Sequence, residues 1–411
     1  MNSQKNAFDK LSKLKVGALF MEMGTGKTKV ALDLIASKQN KVDYILWICP
    51  YSLQGEIETE RQKWHPELQL HIVGYESLGS SDRIYADLLE VVKSHKTFIV
   101  ADESLKIKNL QAKRTQRVIL LGDEAKYKLL LNGTPISKNC LDIWPQMEFL
   151  SHKILKMSYN QYKNTFCEYY LRGELKGIVR RQCNIPYLIS LIEPYIYDAK
   201  LDLNKKKRYY DHHYDMDEEL QAEYWALRDK CLDQINAGSV SDVAIMRMFQ
   251  LLQGCYTQAD EKNKKVQEII AQYPDEQFVV FVKYVKSLDQ NHISGDMDME
   301  DREKVLKEFR SGNIRVLYLT YGVGAYGLNL QNCHNVIFAE HTFDYAQKIQ
   351  AAARVYRIGQ KNNVTYHNLW CDCGMEDLIK RSLQKKTNLL TEVKLEISRK
   401  GGAVSEWLKN I

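Results

Sequence analysis

Residues 17–37 read GALFMEMGTGKTKVALDLIAS, and this stretch decides the fold. An apolar strand pattern, GALFM, runs into a glycine-rich turn, and a helical pattern begins at Lys27. Glycines let the backbone curl so that its N–H groups point at phosphate oxygens, and the helix N-terminus adds a positive dipole end. We predict a site for ATP or GTP, although Met21 stands where the usual motif has its first glycine. The residues predicted to hold the phosphates are Met23, Gly24, Thr25, Gly26, Lys27 and Thr28.

Short apolar runs alternate with helical patterns over the first 150 residues and again after residue 260. Such alternation is typical of parallel βαβ sheets. Between about 145 and 260 the strand patterns stop, and apolar spacing at i, i+3, i+4 and i+7 indicates helices. The predicted fold class is α/β: two parallel-sheet lobes, at 1–200 and 201–411, with helical insertions between the two sheets. We expect a helical protrusion from about 145, a helical insertion at about 201–260, and a charged C-terminal helix from Met375 onward.

Composition excludes several classes of protein. No apolar run approaches the roughly 20 residues that a membrane helix needs, and the N-terminus lacks the apolar centre of a secretory signal. The nine cysteines include no CxxC pair, so we expect no zinc site and a reducing, cytoplasmic location. The net charge of +6 permits a polyanionic partner but does not require one.

Two adjacent carboxylates form a second chemical pattern. The segment FIVADES delivers Asp102 and Glu103 to the carboxyl end of an apolar strand, which is where ligands bind in open α/β sheets. An aspartate there can hold Mg²⁺, and the next carboxylate can orient and activate the attacking water. Following a phosphate loop along the chain, the pair predicts nucleotide hydrolysis.

Two arginines form a third pattern. Arg354 and Arg357 stand three residues apart in QAAARVYRIGQ (350–360), a spacing that predicts one face of a helix. Because a strand pattern precedes them, they are candidates for stabilising a transferring γ-phosphate. The glycines of TYGVGAYGLNLQ (320–331) would let a loop run close to a phosphate backbone.

With these residues in place, the chain resembles the superfamily II helicases of the Swi/Snf chromatin-remodeller type. The similar motifs follow the family order from residue 21 to 361, so the resemblance covers nearly the whole chain. The segments that carry it are MEMGTGKT, ICPYSLQGE (48–56), VADESLKIKN (100–109), LLNGTPISKNCLDIW (130–144), FVVFVKYVKSLD (278–289), TYGVGAYGLNLQ and QAAARVYRIGQ.

The resemblance implies two RecA-like lobes that bind ATP with Mg²⁺ in the cleft between them. Lys27 and Thr28 would bind phosphate and metal, Asp102 would hold the metal, and Glu103 would act on the water. It also implies that Gln4 reads the adenine. The residues that would relay changes between the nucleotide and the nucleic-acid track on which the protein moves are Gly133, Thr134 and Pro135. The contribution of the second lobe would be Gly327, Gln350, Arg354 and Arg357.

The track implied by the resemblance is double-stranded DNA. The residues expected to contact its backbone are Lys106, Lys108, Asn109, Ser294, Thr320 and Asn329. We predict an ATP-dependent translocase that acts as a monomer and away from membranes. In its small size the chain resembles the stand-alone motors of bacteria and their phages. Two alternatives stay open at this point: a strand-separating DNA helicase of replication or recombination, and an ATP-gated scaffold that clamps DNA without moving.

Overall fold

The chain folds as two compact units. The structure is a computed structural model that describes residues 2–133, 135–136, 139–170, 177, 179–237, 242–287, 291–324, 328–384 and 389. The boundary between the units falls between Asp202 and Leu203. Each unit is built on a parallel sheet with helices packed around it, so the fold is α/β as predicted. In the described part of the chain, no helix combines the length and apolar character needed to cross a membrane.

The first unit contains a parallel sheet of six strands in the order β3-β2-β4-β5-β1-β8 and a separate antiparallel pair, β6-β7. The strands of this unit are β1 Val16–Met21, β2 Tyr44–Cys49, β3 His71–Gly74, β4 Thr97–Asp102, β5 Tyr127–Asn132, β6 Cys167–Tyr169, β7 Val179–Gln182 and β8 Ile196–Ala199. The helices are α1 Asn2–Leu11, α2 Lys27–Ala36, α3 Gln54–Trp64, α4 Tyr75–Ser80, α5 Asp82–Ser94, α6 Lys113–Glu124, α7 Ile143–Leu150, α8 His152–Leu155, α9 Tyr159–Phe166 and α10 Ile185–Ile192.

Alternation along the central strands divides the core of this unit into two layers. Leu130 packs in one apolar cluster, whereas its neighbours Leu129 and Leu131 pack in the other. Successive strand side chains point to opposite faces, so a strand covered on both faces reads as a continuous apolar run. The strands β1, β4 and β5 are therefore fixed by burial on both sides, and their carboxyl ends meet at one edge of the sheet.

The second unit contains a parallel sheet of six strands in the order β11-β12-β10-β13-β14-β9. Its strands are β9 Lys207–Tyr214, β10 Phe278–Val282, β11 His292–Ile293, β12 Val316–Thr320, β13 Asn335–Phe338 and β14 Val364–Cys371. Its helices are α11 Glu218–Ala237, α12 Asp242–Tyr256, α13 Asp260–Ala271, α14 Met299–Ser311, α15 Tyr321–Gly324, α16 Tyr345–Ala352 and α17 Gly374–Gln384.

Four strands, β6 to β9, correct the prediction that strands stop between about 145 and 260: β6 and β7 form the antiparallel pair, and β8 and β9 join the two parallel sheets. The four residues of β8 pair with β1 at the edge of the first sheet, and β9 pairs with β14 at the edge of the second. An edge strand needs little apolar alternation: most side chains of β9, which reads KRYYDHHY, are exposed. The C-terminal helix predicted from Met375 corresponds to α17 up to Gln384, and nearly all of the chain beyond that point lies outside the described residues.

A buried ion pair joins α13 to the sheet of the second unit. The Lys262 Nζ lies 2.7 Å from the Glu340 Oε1, and the two side chains are 3% and 0% exposed. The other carboxylate oxygen accepts hydrogen bonds from the backbone N–H groups of Lys283 at 2.8 Å and Tyr284 at 3.1 Å. Glu340 follows β13 and Lys283 follows β10, so this carboxylate ties two strand ends to one helix.

We expect Lys262→Met to lower the free energy of unfolding of the second unit by about 3–5 kcal/mol, because it leaves the Glu340 carboxylate buried without its cation. Urea denaturation measures the loss. Lys264→Met is the matched control, since Lys264 lies in the same helix and pairs with Glu261 on the exposed surface. The control should leave the unfolding midpoint unchanged, and equal losses in the two variants would contradict the role of burial.

Candidate functional site

The predicted phosphate loop joins β1 to α2 in the first unit. Gly24 and Gly26 have φ values of 77° and 84°, in the left-handed region that favours glycine. Gly26, which has no side chain, is the N-cap of α2, and the first turn of the helix contains no acidic residue. The positive end of the helix dipole at this position therefore suits an anion.

The side chains of the loop fold back onto its own backbone. The Lys27 Nζ donates to the carbonyl oxygens of Met21 at 2.8 Å and Glu22 at 3.3 Å. The Thr25 hydroxyl donates to the same Glu22 carbonyl at 2.7 Å. Glu22 in turn donates its N–H to the Ala199 carbonyl, at the end of β8. The loop is thus held in its curved form by bonds that begin and end within the first unit.

Gln4 lies against the phosphate loop. Its side-chain N–H donates to the Thr25 carbonyl at 2.9 Å. A Cβ placed at Gly26 would overlap the same Gln4 amide. The structure therefore brings the predicted adenine reader to the loop backbone, and the adenine contact itself stays a prediction.

We expect Gly26→Ala to weaken nucleotide binding at least tenfold, because the new Cβ would be strained by the positive φ and would displace Gln4. Titration with a fluorescent ATP analogue measures the affinity. Gly312→Ala is the control: Gly312 has a φ of 89°, and a Cβ there meets no described atom within 4 Å. It should cost about 1 kcal/mol of stability and leave the affinity unchanged. Equal affinity losses would refute the argument from contact.

The predicted acids stand at the carboxyl end of β4, next to the end of β5, and the end of β1 lies one strand further along the sheet. The Asp102 side chain is buried and its Oδ1 accepts the Glu103 N–H at 2.8 Å, while the Tyr75 hydroxyl donates to the Asp102 carbonyl at 2.8 Å. Burial, and then the neighbouring Glu103 charge, raise the pKa of Asp102 to about 7, against the opposing effect of Lys27. Glu103 has a φ of 50°, which is a strained conformation for a residue with a side chain.

The Asp102 pKa predicts a pH-dependent destabilisation of the first unit. Between its ordinary value of 3.8 and about 7, the folded state keeps a proton that the unfolded state has released, so stability falls as pH rises through this window. We expect Asp102→Asn to raise the free energy of unfolding by a few kcal/mol at pH 8, since each pKa unit is worth about 1.4 kcal/mol, and the gain to vanish toward pH 4. Urea denaturation in metal-free, nucleotide-free buffer measures it.

Asp87→Asn is the control for that prediction, because the Asp87 side chain is exposed and lies 3.8 Å from Arg83. Its effect on stability should not change across the same pH range. A gain for Asp102→Asn that is equal at pH 4 and pH 8 would rule out ionisation of the buried carboxyl as the cause.

The predicted relay segment follows β5 and touches the phosphate loop. A Cβ at Gly133 would lie 3.1 Å from the Met23 Cγ and 3.5 Å from the Met23 N, so only a small residue fits. The Pro135 carbonyl accepts a hydrogen bond from the Gln146 side chain at 2.8 Å. Thr134 lies outside the described residues. The segment is therefore in contact with the nucleotide loop on one side and with α7 on the other.

Arg354 and Arg357 correct the prediction of a shared helix face. The helix α16 ends at Ala352, and the Arg354 carbonyl accepts the Leu330 N–H at 3.1 Å instead of continuing the helical pattern. Gly359, with a φ of 100°, packs directly on the Gln331 side chain. Because the chain turns onto the segment around Leu330, the three-residue spacing does not place the arginines on one helix. Arg354 is buried and Arg357 is partly exposed.

The remaining predicted residues differ in accessibility. In the first unit Lys106 and Lys108 are partly exposed and Asn109 is exposed. In the second unit Ser294 is fully buried and donates its hydroxyl to Asp296, and Thr320 is 8% exposed. Asn329 and Gln350, the other two predicted residues described in that unit, are partly exposed. Gly327 lies outside the described residues.

Two protein-family models match consecutive parts of the chain. Residues 67–261 match the model of the SNF2-related domain, and residues 261–359 match that of the Helicase conserved C-terminal domain. The two matches meet at residue 261 and include most strands of both sheets, whereas β1, β2 and β14 lie outside the matched ranges. The chain belongs to the Swi/Snf-like branch of the superfamily II helicases. The similarity identified from the sequence motifs is thereby confirmed.

Curated relatives of this Swi/Snf-like chain are distant and longer. It is 24% identical over 494 residues to the TATA-binding protein-associated factor MOT1 of Saccharomyces cerevisiae, a match that covers 92% of this chain and 26% of that protein. It is 23% identical over 421 residues to the SWI/SNF-related matrix-associated actin-dependent regulator of chromatin subfamily A-like protein 1 homolog of Caenorhabditis elegans, covering 91% and 59%. The chain thus spans only part of the length of either relative.

A solved structure with similarity to the chain is the Sulfolobus solfataricus SWI2/SNF2 ATPase core in complex with dsDNA. The sequence identity is 23% and the TM-score is 0.43, with 100% of this chain and 95% of that chain covered.

The residues of this Swi/Snf-like chain fit the nucleotide and the metal that the family implies. The uncapped start of α2, which has no acid in its first turn, offers N–H donors to phosphate. Asp102 and Thr28 carry side-chain oxygens of the kind that Mg²⁺ prefers, and would be its ligands if the metal binds here. A buried carboxyl with a pKa raised to about 7 would gain from a neighbouring cation, because the cation favours its ionised form.

Two residues of the site escaped the sequence interpretation. Ser104 and Gln146 form hydrogen bonds that connect the acid-bearing strand end to the relay segment. The available clue was the polar Gln146 within IWPQMEFL, a helix whose eight residues are all buried. A buried amide requires partners, but the sequence does not say which they are.

Proposed function

We propose that the protein is an ATP-dependent translocase that moves on double-stranded DNA. The observation that carries the proposal is the meeting of three neighbouring strand ends at one edge of the first sheet. Asp102 pairs with Leu131 of β5, and Asn132, the last residue of β5, pairs with Phe20 of β1. This register sets the phosphate loop, the acid pair and the relay segment level with one another.

Hydrolysis is assigned to the side chains at that edge. The loop N–H groups and Lys27 would bind the phosphates, and Thr28 and Asp102 would hold Mg²⁺, which neutralises charge on the phosphate oxygens when bound. Glu103 would orient the attacking water and accept its proton. Its strained backbone fits such a role, because strained residues persist where surrounding structure fixes them for function.

The second unit is assigned the residues that respond to the transferring phosphate. Arg354 and Arg357 would stabilise the negative charge of the transition state, and Gln350 and Gly327 would contact the nucleotide. The assignment rests on family similarity and on the position of the arginines after β13. The assignment does not require Arg354 and Arg357 to lie on one helix, because side chains that project from a turn can also reach the same phosphate.

Duplex DNA is the proposed track because of the family similarity, and the net charge of +6 is compatible with it. Among the residues expected to touch phosphates, Lys106, Lys108 and Asn109 are accessible in the first unit. Ser294 could make such a contact only after its burial is relieved. Binding through phosphates should be weakly sequence-specific and should fall steeply with salt.

The test is an ATPase assay without nucleic acid and with single-stranded DNA, duplex DNA and RNA. We expect duplex DNA to stimulate most, and Lys27→Ala and Glu103→Gln each to reduce the stimulated rate at least a hundredfold, because one loses phosphate binding and the other water activation. Lys29→Ala is the matched control: Lys29 lies on the same helix and pairs with Asp33 at 2.7 Å. Its stimulated rate should stay within about twofold of the unaltered protein.

Two further assays separate this proposal from its alternatives. Displacement of a triplex-forming strand without unwinding of a forked duplex supports translocation. Unwinding of the fork would instead identify a strand-separating helicase. A negligible rate with every nucleic acid would identify a scaffold and refute the motor.

A further inference from the structure

Three buried polar side chains of the first unit, Asn132, Ser104 and Gln146, are joined by hydrogen bonds. This set of side chains is called the relay below, as distinct from the relay segment at residues 133–135. The Asn132 side-chain N–H donates to the Ser104 hydroxyl oxygen at 3.3 Å, and the Ser104 hydroxyl donates to the Gln146 Oε1 at 2.7 Å. The three residues are 2%, 0% and 0% exposed. They come from the end of β5, the residue after Glu103 and the middle of α7.

The donors and acceptors of Gln146 determine the direction of the relay. Its Nε2 carries two hydrogens, which are donated to the Pro135 carbonyl at 2.8 Å and the Asp142 carbonyl at 2.7 Å. Its Oε1 must then face Ser104, and the single Ser104 hydrogen must point toward Gln146. Flipping the Gln146 amide would bring its Oε1 against the Pro135 and Asp142 carbonyl oxygens, so the orientation of Gln146, and with it that of the Ser104 hydroxyl, is fixed.

The relay connects two segments to which the proposed function assigns different roles. Ser104 follows Glu103 directly, and Glu103 is held at a φ of 50°. Pro135, bound by Gln146, belongs to the segment in which Gly133 touches Met23 of the phosphate loop. A buried donor or acceptor that loses its partner costs about 1–3 kcal/mol. A shift of either segment would break several such bonds, so the two segments are constrained to move together.

We propose that Ser104 and Gln146 are positioning residues that keep the Glu103 backbone in register with the relay segment around Gly133 and Pro135. Stimulation by DNA then reaches Glu103 through this set of hydrogen bonds. The proposal rests on the proposed ATPase function for its kinetic consequence. Its structural consequence, the coupling of the two segments, does not depend on any activity.

The kinetic test compares the DNA-stimulated ATPase rate with the rate in the absence of DNA. We expect Ser104→Ala and Gln146→Leu each to lower this ratio about tenfold. Without these hydrogen bonds, bound DNA would no longer bring Glu103 into its productive position, and a small misplacement of a catalytic group produces losses of this order. The ratio is unaffected by the fraction of folded protein, which cancels between the two rates. The double variant should lose no more than either single variant, since both remove the same relay.

Thr115→Val is the matched control for the loss of a buried hydroxyl. Thr115 is fully buried in α6, and its hydroxyl has no hydrogen-bond partner among the described residues. This variant should keep the ratio of the unaltered protein. Ratios that stay within about twofold in Ser104→Ala and Gln146→Leu, or losses that multiply in the double variant, would overturn the proposal.

Hydrogen exchange provides the test that is independent of activity. We expect Gln146→Leu to speed amide exchange in the segment Ser104–Ile107, and Ser104→Ala to speed it around Gly133 and Ile136, each change appearing at the far end of the relay. Changes confined to the substituted segment would overturn the coupling. If duplex DNA does not stimulate the unaltered protein, the proposed function fails, and these cross effects still decide for or against the relay.

Discussion

Parallel pairing of β4, β5 and β1 is the constraint on which the site depends. Because the three strands are neighbours and run in the same direction, whatever follows their carboxyl ends must lie at one edge of the sheet. The phosphate loop, the acid pair and the relay segment follow those three ends. Burial on both faces fixes the register of the strands, and a one-residue slip would turn each core side chain toward the wrong layer. The apolar core of the first unit thereby sets the geometry of its polar edge.

The features at that polar edge lower the stability of the first unit. Asp102 is a buried carboxyl with a pKa raised to about 7, Glu103 occupies left-handed backbone, and α2 begins without a side-chain cap. Each feature opposes folding in the unliganded protein. A cation would offset the cost of burying Asp102 and a phosphate that of the α2 N-terminus, whereas the strain at Glu103 persists because the surrounding structure fixes this residue. The second unit shows the contrasting case, because the buried Glu340 is fully paired with Lys262 and two backbone N–H groups. A buried charge with a full set of protein partners, such as Glu340, stabilises the fold. A buried carboxyl without a paired cation in the described part of the chain, such as Asp102, indicates a site for a ligand.

The sequence predicts the parts of the molecule that local patterns encode. The central strands are continuous apolar runs, and the glycine turn of MGTGKT needs positive φ values, so both could be predicted. The edge strands β8 and β9 could not, because an exposed strand has no apolar face to show in its pattern. The turn at Arg354 depends on a hydrogen bond to Leu330, and Ser104, the partner of the Gln146 Oε1, lies 42 residues away in the chain. Such tertiary bonds leave no periodic trace, so spacing alone suggested a helix for the arginines and nothing for the relay.

The bond between Gln4 and the Thr25 carbonyl has a consequence for the entropy of nucleotide binding. A glycine-rich loop is flexible when unbound, and ordering it upon binding opposes affinity. A contact from α1 that already holds the loop in its curved form reduces the number of conformations that the ligand must remove. Part of the affinity for a nucleotide would then be determined before the ligand arrives, by a side chain whose partner is the loop itself.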